Sequence, residues 1–133
     1  MIYFSWTPRF WLITVLLLTS LAASGDGPGQ SPEDIEPAIQ FLLKHVADSG
    51  LTFIRNSERH DAADAAEHMN SKYEYFRDKI KTPEDFIQRC ASKSLMSGKP
   101  YLVVLENGEE VRTDAWLLRA LTAYRKNHDE NPA

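Results

Sequence analysis

The sequence predicts an α+β fold, a small antiparallel sheet built from two β-hairpins and packed with about four helices. Three observations carry that expectation. Apolar spacing alternates between the helical and the strand period in the order helix, hairpin, helix, and it does so twice. The segment RNSERHDAADAAEHMNSKY from Arg55 lies without a gap on ENGEEVRTDAWLLRALTAY from Glu106, with Asn56 on Asn107, Glu58 on Glu109, Ala65 on Trp116 and Tyr73 on Tyr124. The identities are too few to establish common ancestry; what the two segments share physically is a hairpin-then-helix pattern. Third, the run from Tyr101 to Leu105 is apolar on both faces, which suits a central strand or one covered on its second face by a partner.

Residues 1–24 read as an export signal. Arg9 supplies the positive n-region, Phe10 to Ala23 form an unbroken apolar run, and Ala22 with Ser24 fits the small-x-small cleavage rule, leaving Gly25 as the new terminus. The run is short of the roughly 20 residues that span a bilayer, which favours cleavage over anchoring. No cysteine lies near the cleavage point to take a lipid. Residues 25–32 then form a flexible leader, 33–126 a single α+β domain and 127–133 a disordered tail. Arg9 is the only charged residue removed, leaving 14 basic side chains against 19 acidic ones. An acidic balance of that size argues against nucleic acid as a partner. The lone Cys90 cannot form an internal disulfide, so the domain depends on its core, and Cys90 is expected inside it.

The elements follow in order. Ile35, Ile39, Leu42, Leu43 and Val46 give the first helix its apolar stripe, Pro37 falls near its start, and Gly50 supplies the stop. LTFIRN is a short strand and NSERH its turn and return. Asp61 can cap a second helix running to about Ile80, with Ala65, Met69, Tyr73, Phe76 and Ile80 inward. Thr82, Pro83 and Asp85 form a helix-start signature for a third helix over Pro83 to Ser92 that buries Phe86, Ile87 and Cys90. PYLVVL is a strand, Asn107–Gly108 a tight hairpin turn, and EVR the return. Thr113 is expected to cap a final helix carrying Trp116, Leu117, Leu121 and Tyr124.

The serine- and lysine-rich stretch CASKSLMSGKPY, from Cys90, invites comparison with a phosphate-binding loop. Its order is wrong. A phosphate cradle runs strand, glycine loop, helix, so that unpaired N–H groups at a helix N-terminus face the anion. Here Ser92, Lys93 and Ser94 follow a helix C-terminus, where free carbonyls repel it. Lys93 is expected against those carbonyls, Gly98 in a turn with positive φ, and Pro100 at the first position of a strand. Ser94, Ser97 and Lys99 are left to project as a polar edge beside Tyr101.

Catalytic constellations are missing. No serine sits in a G-x-S-x-G elbow, and Cys90 lies on an apolar helix face without a nearby histidine. No catalytic residue and no cofactor is therefore expected. Asp64, His68 and Lys72, each four apart, share a flank of the second helix. Asp64 and His68 could join His60 around a metal, but that spacing is common on solvated helices and no stricter ligand motif accompanies it. No metal site is expected.

The blocks FIRN, DAAEHMNSK, IKTPEDFI and ASKSLMSGKPY, in that order, resemble the YfeK-like family of small exported bacterial proteins, which is carried as a domain of unknown function. The resemblance spans about Ile35 to Leu121. It departs at Ser57, where the family's turn usually has glycine, at Asp64, where glutamate is common, and at Met69, where leucine is common. It implies a periplasmic location in a Gram-negative cell and supplies no activity. Arg55, Asn56, His68, Lys72, Ser94, Ser97, Gly98, Lys99 and Tyr101 are the polar motif positions it shares, with no role attached.

The function expected is that of a non-enzymatic periplasmic binding or interaction module using a polar edge around residues 92–101. Its binding residues would be Arg55, Asn56, His68, Lys72, Ser94, Ser97, Lys99 and Tyr101. Arg55, Lys72 and Lys99 would offer a cationic spot to a small anionic ligand or to the acidic surface of a periplasmic protein. Three alternatives are weighed against it. Ser97-Gly98-Lys99-Pro100-Tyr101 resembles the Ser-Gly-x-x-Tyr loop of periplasmic lysozyme inhibitors, which are β-rich; His68 with Ser94 or Ser97 could serve a small hydrolase; and the chain could be a structural envelope protein. Both a monomer and a dimer fit the sequence.

Overall fold

The computed structural model describes residues 32–131. The expected signal over 1–24, nearly all of the leader and the last two residues lie outside the described residues. Helix α1 (Pro32–Asp48) leads into strands β1 (Thr52–Arg55) and β2 (Glu58–His60) and helix α2 (Ala62–Phe76). A 3₁₀ turn (Arg77–Lys79), α3 (Pro83–Cys90), β3 (Leu102–Val104), β4 (Glu110–Arg112) and α4 (Thr113–Glu130) complete the order. Among the described residues no helix is long and apolar enough to cross a membrane.

The four strands form one antiparallel sheet in the order β2-β1-β3-β4. The two hairpins therefore meet through their first strands, with Phe53 opposite Val103. Those two side chains point into a core that also takes Ile39, Leu42 and Val46 from α1, Met69 and Tyr73 from α2, Phe86 from α3 and Leu117 and Leu121 from α4. Each large side chain buried there contributes about 1.5–3 kcal/mol. The αββα unit thus occurs twice, as the repeated pattern in the sequence implies.

The second face of the sheet is not bare. Ile54, Leu102 and Val104 are half-buried there. Arg59 on one edge strand reaches Glu110 on the other at 3.9 Å, so two long side chains arch over the central strands. The central position of β3 is as expected, and the Arg59–Glu110 pair lies over its half-buried second face.

Several local expectations need correction. Helix α1 begins early enough that Pro37 is interior, so it removes one hydrogen bond to the carbonyl four residues back. Helix α2 stops at Phe76; the 3₁₀ turn, closed by Ile80 N–H donating to Arg77 O at 3.2 Å, swings Ile80 into the core. Helix α3 ends at Cys90, two residues early. Thr113 does not cap α4. Its N–H donates to Tyr101 O at 3.0 Å, which holds the residue against the sheet; Arg112 takes the cap position and the Thr113 hydroxyl is buried without a partner. Helix α4 runs to Glu130, so residues 127–130, expected in the tail, are helical.

The start signals of α2 and α3 behave as read. Asp61 accepts the N–H of Asp64 at 2.8 Å. Thr82 accepts the N–H of Asp85 at 3.0 Å while Asp85 accepts that of Thr82 at 3.1 Å. The hairpins differ in their turns. β1 and β2 are joined by Asn56 and Ser57 alone, both left-handed at φ 52° and 70°. In the second hairpin only Gly108 is left-handed (φ 84°); Gly108 N–H donates to Leu105 O and Leu105 N–H to Glu109 O, making a longer loop than a two-residue Asn–Gly turn.

Candidate functional site

The register that sets Ile54 against Leu102 continues one step, bringing Arg55 at the end of β1 beside Tyr101 just ahead of β3. Strand alternation turns both toward the helix-covered face, on which Phe53 and Val103 lie. Helix α2 crosses that end of the sheet and offers His68 and Lys72 from one flank. The loop after α3 closes the opposite side. Together they form an open cleft of about 380 Å³ lined by Arg55, Asn56, His68, Lys72, Ser94, Leu95, Met96 and Tyr101.

Lys72 is the unusual member. It is only 8% exposed, and its Nζ donates to Lys93 O at 3.3 Å and to the Tyr101 hydroxyl at 3.5 Å, 5.1 Å from the centre of the Tyr101 ring. Both acceptors are neutral and both bonds are long. Burial above all holds the Lys72 pKa below the ordinary lysine value, with Cys90 opposing and Arg55 adding a smaller lowering. The neighbouring Cys90 thiol, pushed up to about 12 by burial, is neutral at neutral pH. Among the described residues no carboxylate forms an ion pair with Arg55 or Lys72.

His68 completes the inner wall. Its Nε2 lies 3.3 Å from the Tyr101 hydroxyl, and the two rings meet edge to face. Burial above all, then Arg55, Lys72 and His60, lowers its pKa to about 4 against a smaller opposing effect of Asp64, so the ring is neutral at neutral pH. Burial also raises the Tyr101 pKa. The cleft therefore presents two cations beside a neutral phenol and a neutral imidazole. Behind it lies a pocket of about 20 Å³, the size of one water molecule, lined in part by Phe53, His60 and Met69.

Six of the eight residues expected in a binding edge line this cleft. Ser97 joins at the rim through a hydrogen bond from its hydroxyl to Asn56 Oδ1, while Lys99 is exposed and does not line it. Ser94 does not project as expected. It is buried, and its Oγ accepts the amides of Met96 and Ser97 at 3.3 Å each, so it shapes the loop from inside. The side chain at the Lys93 carbonyl comes from Lys72, and Lys93 itself is exposed. Gly98 adopts the expected positive φ, 71°.

The alternatives also meet the geometry. A hydrolase pairing needs His68 on a serine, but His68 faces Tyr101 and the hydroxyls of Ser94 and Ser97 are engaged elsewhere. The Asp64 carboxylate turns to His60 Nδ1 at 3.2 Å, away from His68, and among the described residues no three His, Cys, Asp or Glu side chains converge on a metal position. Tyr101 is 6% exposed, so the Ser97–Tyr101 stretch does not present both of its signature ends on one protruding loop.

Sequence reading missed Leu95 and Met96, which stand 66% and 96% exposed at the cleft mouth. A signal was available: they are the only apolar pair inside an otherwise polar loop.

Residues 33–125 match the model of a family described as a family of unknown function, DUF5329. The chain is 39% identical over 67 residues to the uncharacterized protein YfeK of Salmonella typhimurium, a stretch covering 50% of this chain and 56% of that protein. The match thus spans little more than half of that relative's length. No solved structure matches the chain.

Proposed function

Because the chain belongs to the DUF5329 family, whose membership assigns no activity, we propose from the geometry of the cleft that it is a non-enzymatic module binding an anionic group, a carboxylate or a phosphate. One observation carries this reading: Lys72, a residue only 8% exposed, lines the same cleft as Arg55, and its ammonium has long hydrogen bonds to neutral oxygens as its recorded partners. Removing a lysine from water costs several kcal/mol unless an opposite charge compensates. A ligand anion would supply that charge and take further hydrogen bonds from the Tyr101 hydroxyl and the Arg55 fork.

The working location proposed for this activity is the periplasm, on the strength of the charged start, apolar run and small-residue cleavage site over residues 1–24. Osmotic-shock fractionation of cells making the full chain with a C-terminal tag tests this. A shortened protein in the shock fluid is expected, and full-length protein retained in the cytoplasm would contradict it.

The binding reading is tested by thermal unfolding in rising inorganic phosphate or sodium acetate, with sodium chloride holding ionic strength constant. A ligand of the native state raises stability by RT ln(1 + [L]/Kd). A saturable upward shift is expected in the wild type and lost in Arg55→Gln and Lys72→Met. Equal shifts in all three proteins would mean that the anions act on the general surface, and the proposal would fail.

A further inference from the structure

Resting on the anion-binding reading, we infer that the ligand is an amphiphile, its anionic head held by Arg55 and Lys72 and an aliphatic chain laid across Leu95 and Met96. Those two side chains line the same cleft as the cations, and Met96 is the most exposed of the large apolar residues described. Their exposure is built into the loop. Lys93 pairs with Pro100 across its base, Ser94 N–H donates to Lys99 O at 3.0 Å, and Gly98 N–H donates to Ser94 O at 2.9 Å. The buried Ser94 hydroxyl then holds the Met96 and Ser97 amides, and Ser97 ties the tip to Asn56.

These bonds hold the loop in a conformation that leaves both side chains exposed. Methionine in such a position is suited to an apolar partner of variable shape, because its unbranched thioether adapts. The cleft is also roomy for a bare oxyanion, at about 380 Å³. Polar groups at its inner end and apolar ones at its mouth match a ligand with one charged end and one aliphatic end.

Calorimetric titration of the protein with sodium acetate, sodium octanoate and octyl phosphate separates the possibilities. A fully buried methylene is worth about fourfold in affinity, so partial cover of the six added in octanoate predicts binding about tenfold tighter than acetate. Octyl phosphate should gain similarly over inorganic phosphate. The Leu95→Ser/Met96→Ser double variant, altered only at exposed positions, should lose most of the octanoate-over-acetate gain. Equal affinity for acetate and octanoate in the wild type would overturn the inference and leave the anion reading standing. An octanoate gain that survives the double variant would overturn it too, because the chain would then lie elsewhere. Failure of acetate, phosphate and octanoate alike to bind would instead overturn the anion reading beneath it.

Discussion

Lys72→Met should make the unliganded protein more stable. The lysine places an ammonium at 8% exposure beside Arg55, with hydrogen bonds of 3.3 and 3.5 Å to neutral oxygens. At those lengths each bond contributes about 0.5–1 kcal/mol, and the contact with the Tyr101 ring adds about 0.5–1 kcal/mol. Against them stands a desolvation cost of several kcal/mol for a buried charge without a counterion. Methionine is unbranched and one heavy atom shorter, removes the charge and regains about 0.3–1.5 kcal/mol from sulfur beside the aromatic ring. The balance favours the variant by about 1–2 kcal/mol, which for a domain of this size raises the melting temperature by roughly 5–10 °C. Urea unfolding at pH 7 measures it as a higher midpoint with an unchanged slope. The pH dependence carries a sign of its own. Lys72 titrates below its unfolded value of about 10.4, so the wild type recovers stability as pH rises through that window, and the variant's advantage should shrink. A variant destabilised by 2 kcal/mol or more would refute the reasoning, because Lys72 would then be bracing the loop at Lys93.

Ser57→Gly should stabilise the protein by about 0.5–1 kcal/mol in urea unfolding: a non-glycine residue at φ 70° costs about 1–2 kcal/mol, part of which glycine returns as chain entropy. A destabilised variant would mean that the serine side chain supports the turn. For His68, the sign follows from a folded pKa of about 4 against about 6.5 unfolded. Its contribution is complete above pH 6.5 and is lost as pH falls toward 4, because the unfolded ring binds a proton first. Allowing for the solvent-open side of the ring, the wild type should lose roughly 1–2 kcal/mol more than His68→Gln across that window; parallel stability curves would contradict this. Thr113→Val should raise stability by about 1 kcal/mol, since the buried hydroxyl has no hydrogen-bond partner and valine fills the same volume. A loss on melting would show that the hydroxyl is satisfied.

What the sequence makes legible here is whatever depends on short-range pattern. The capping box of Thr82 and Asp85, the cap at Asp61 and the apolar stripes need only neighbouring residues, and they fall where expected. The clustering of Arg55, His68, Lys72 and Tyr101 was also within reach, because the αββα repeat brings the end of one first strand beside the start of the other. The failures depend on long-range contacts. Thr113 has every local property of a cap, but its N–H is claimed by Tyr101 across the chain. Ser94 looks like a surface serine until the loop folds over it. The Arg59–Glu110 arch joins the two outermost strands and has no counterpart in local sequence. Leu95 and Met96 were passed over because an apolar pair in a loop reads as filler until the structure leaves it exposed.

Phosphate titration followed by NMR, on protein labelled at arginine, histidine, lysine and tyrosine side chains, tests the anion site most directly. Saturable shifts confined to Arg55, His68, Lys72 and Tyr101, with one shared dissociation constant, are predicted. Shifts spread over exposed lysines such as Lys93 and Lys99, with those four unmoved, would contradict the account.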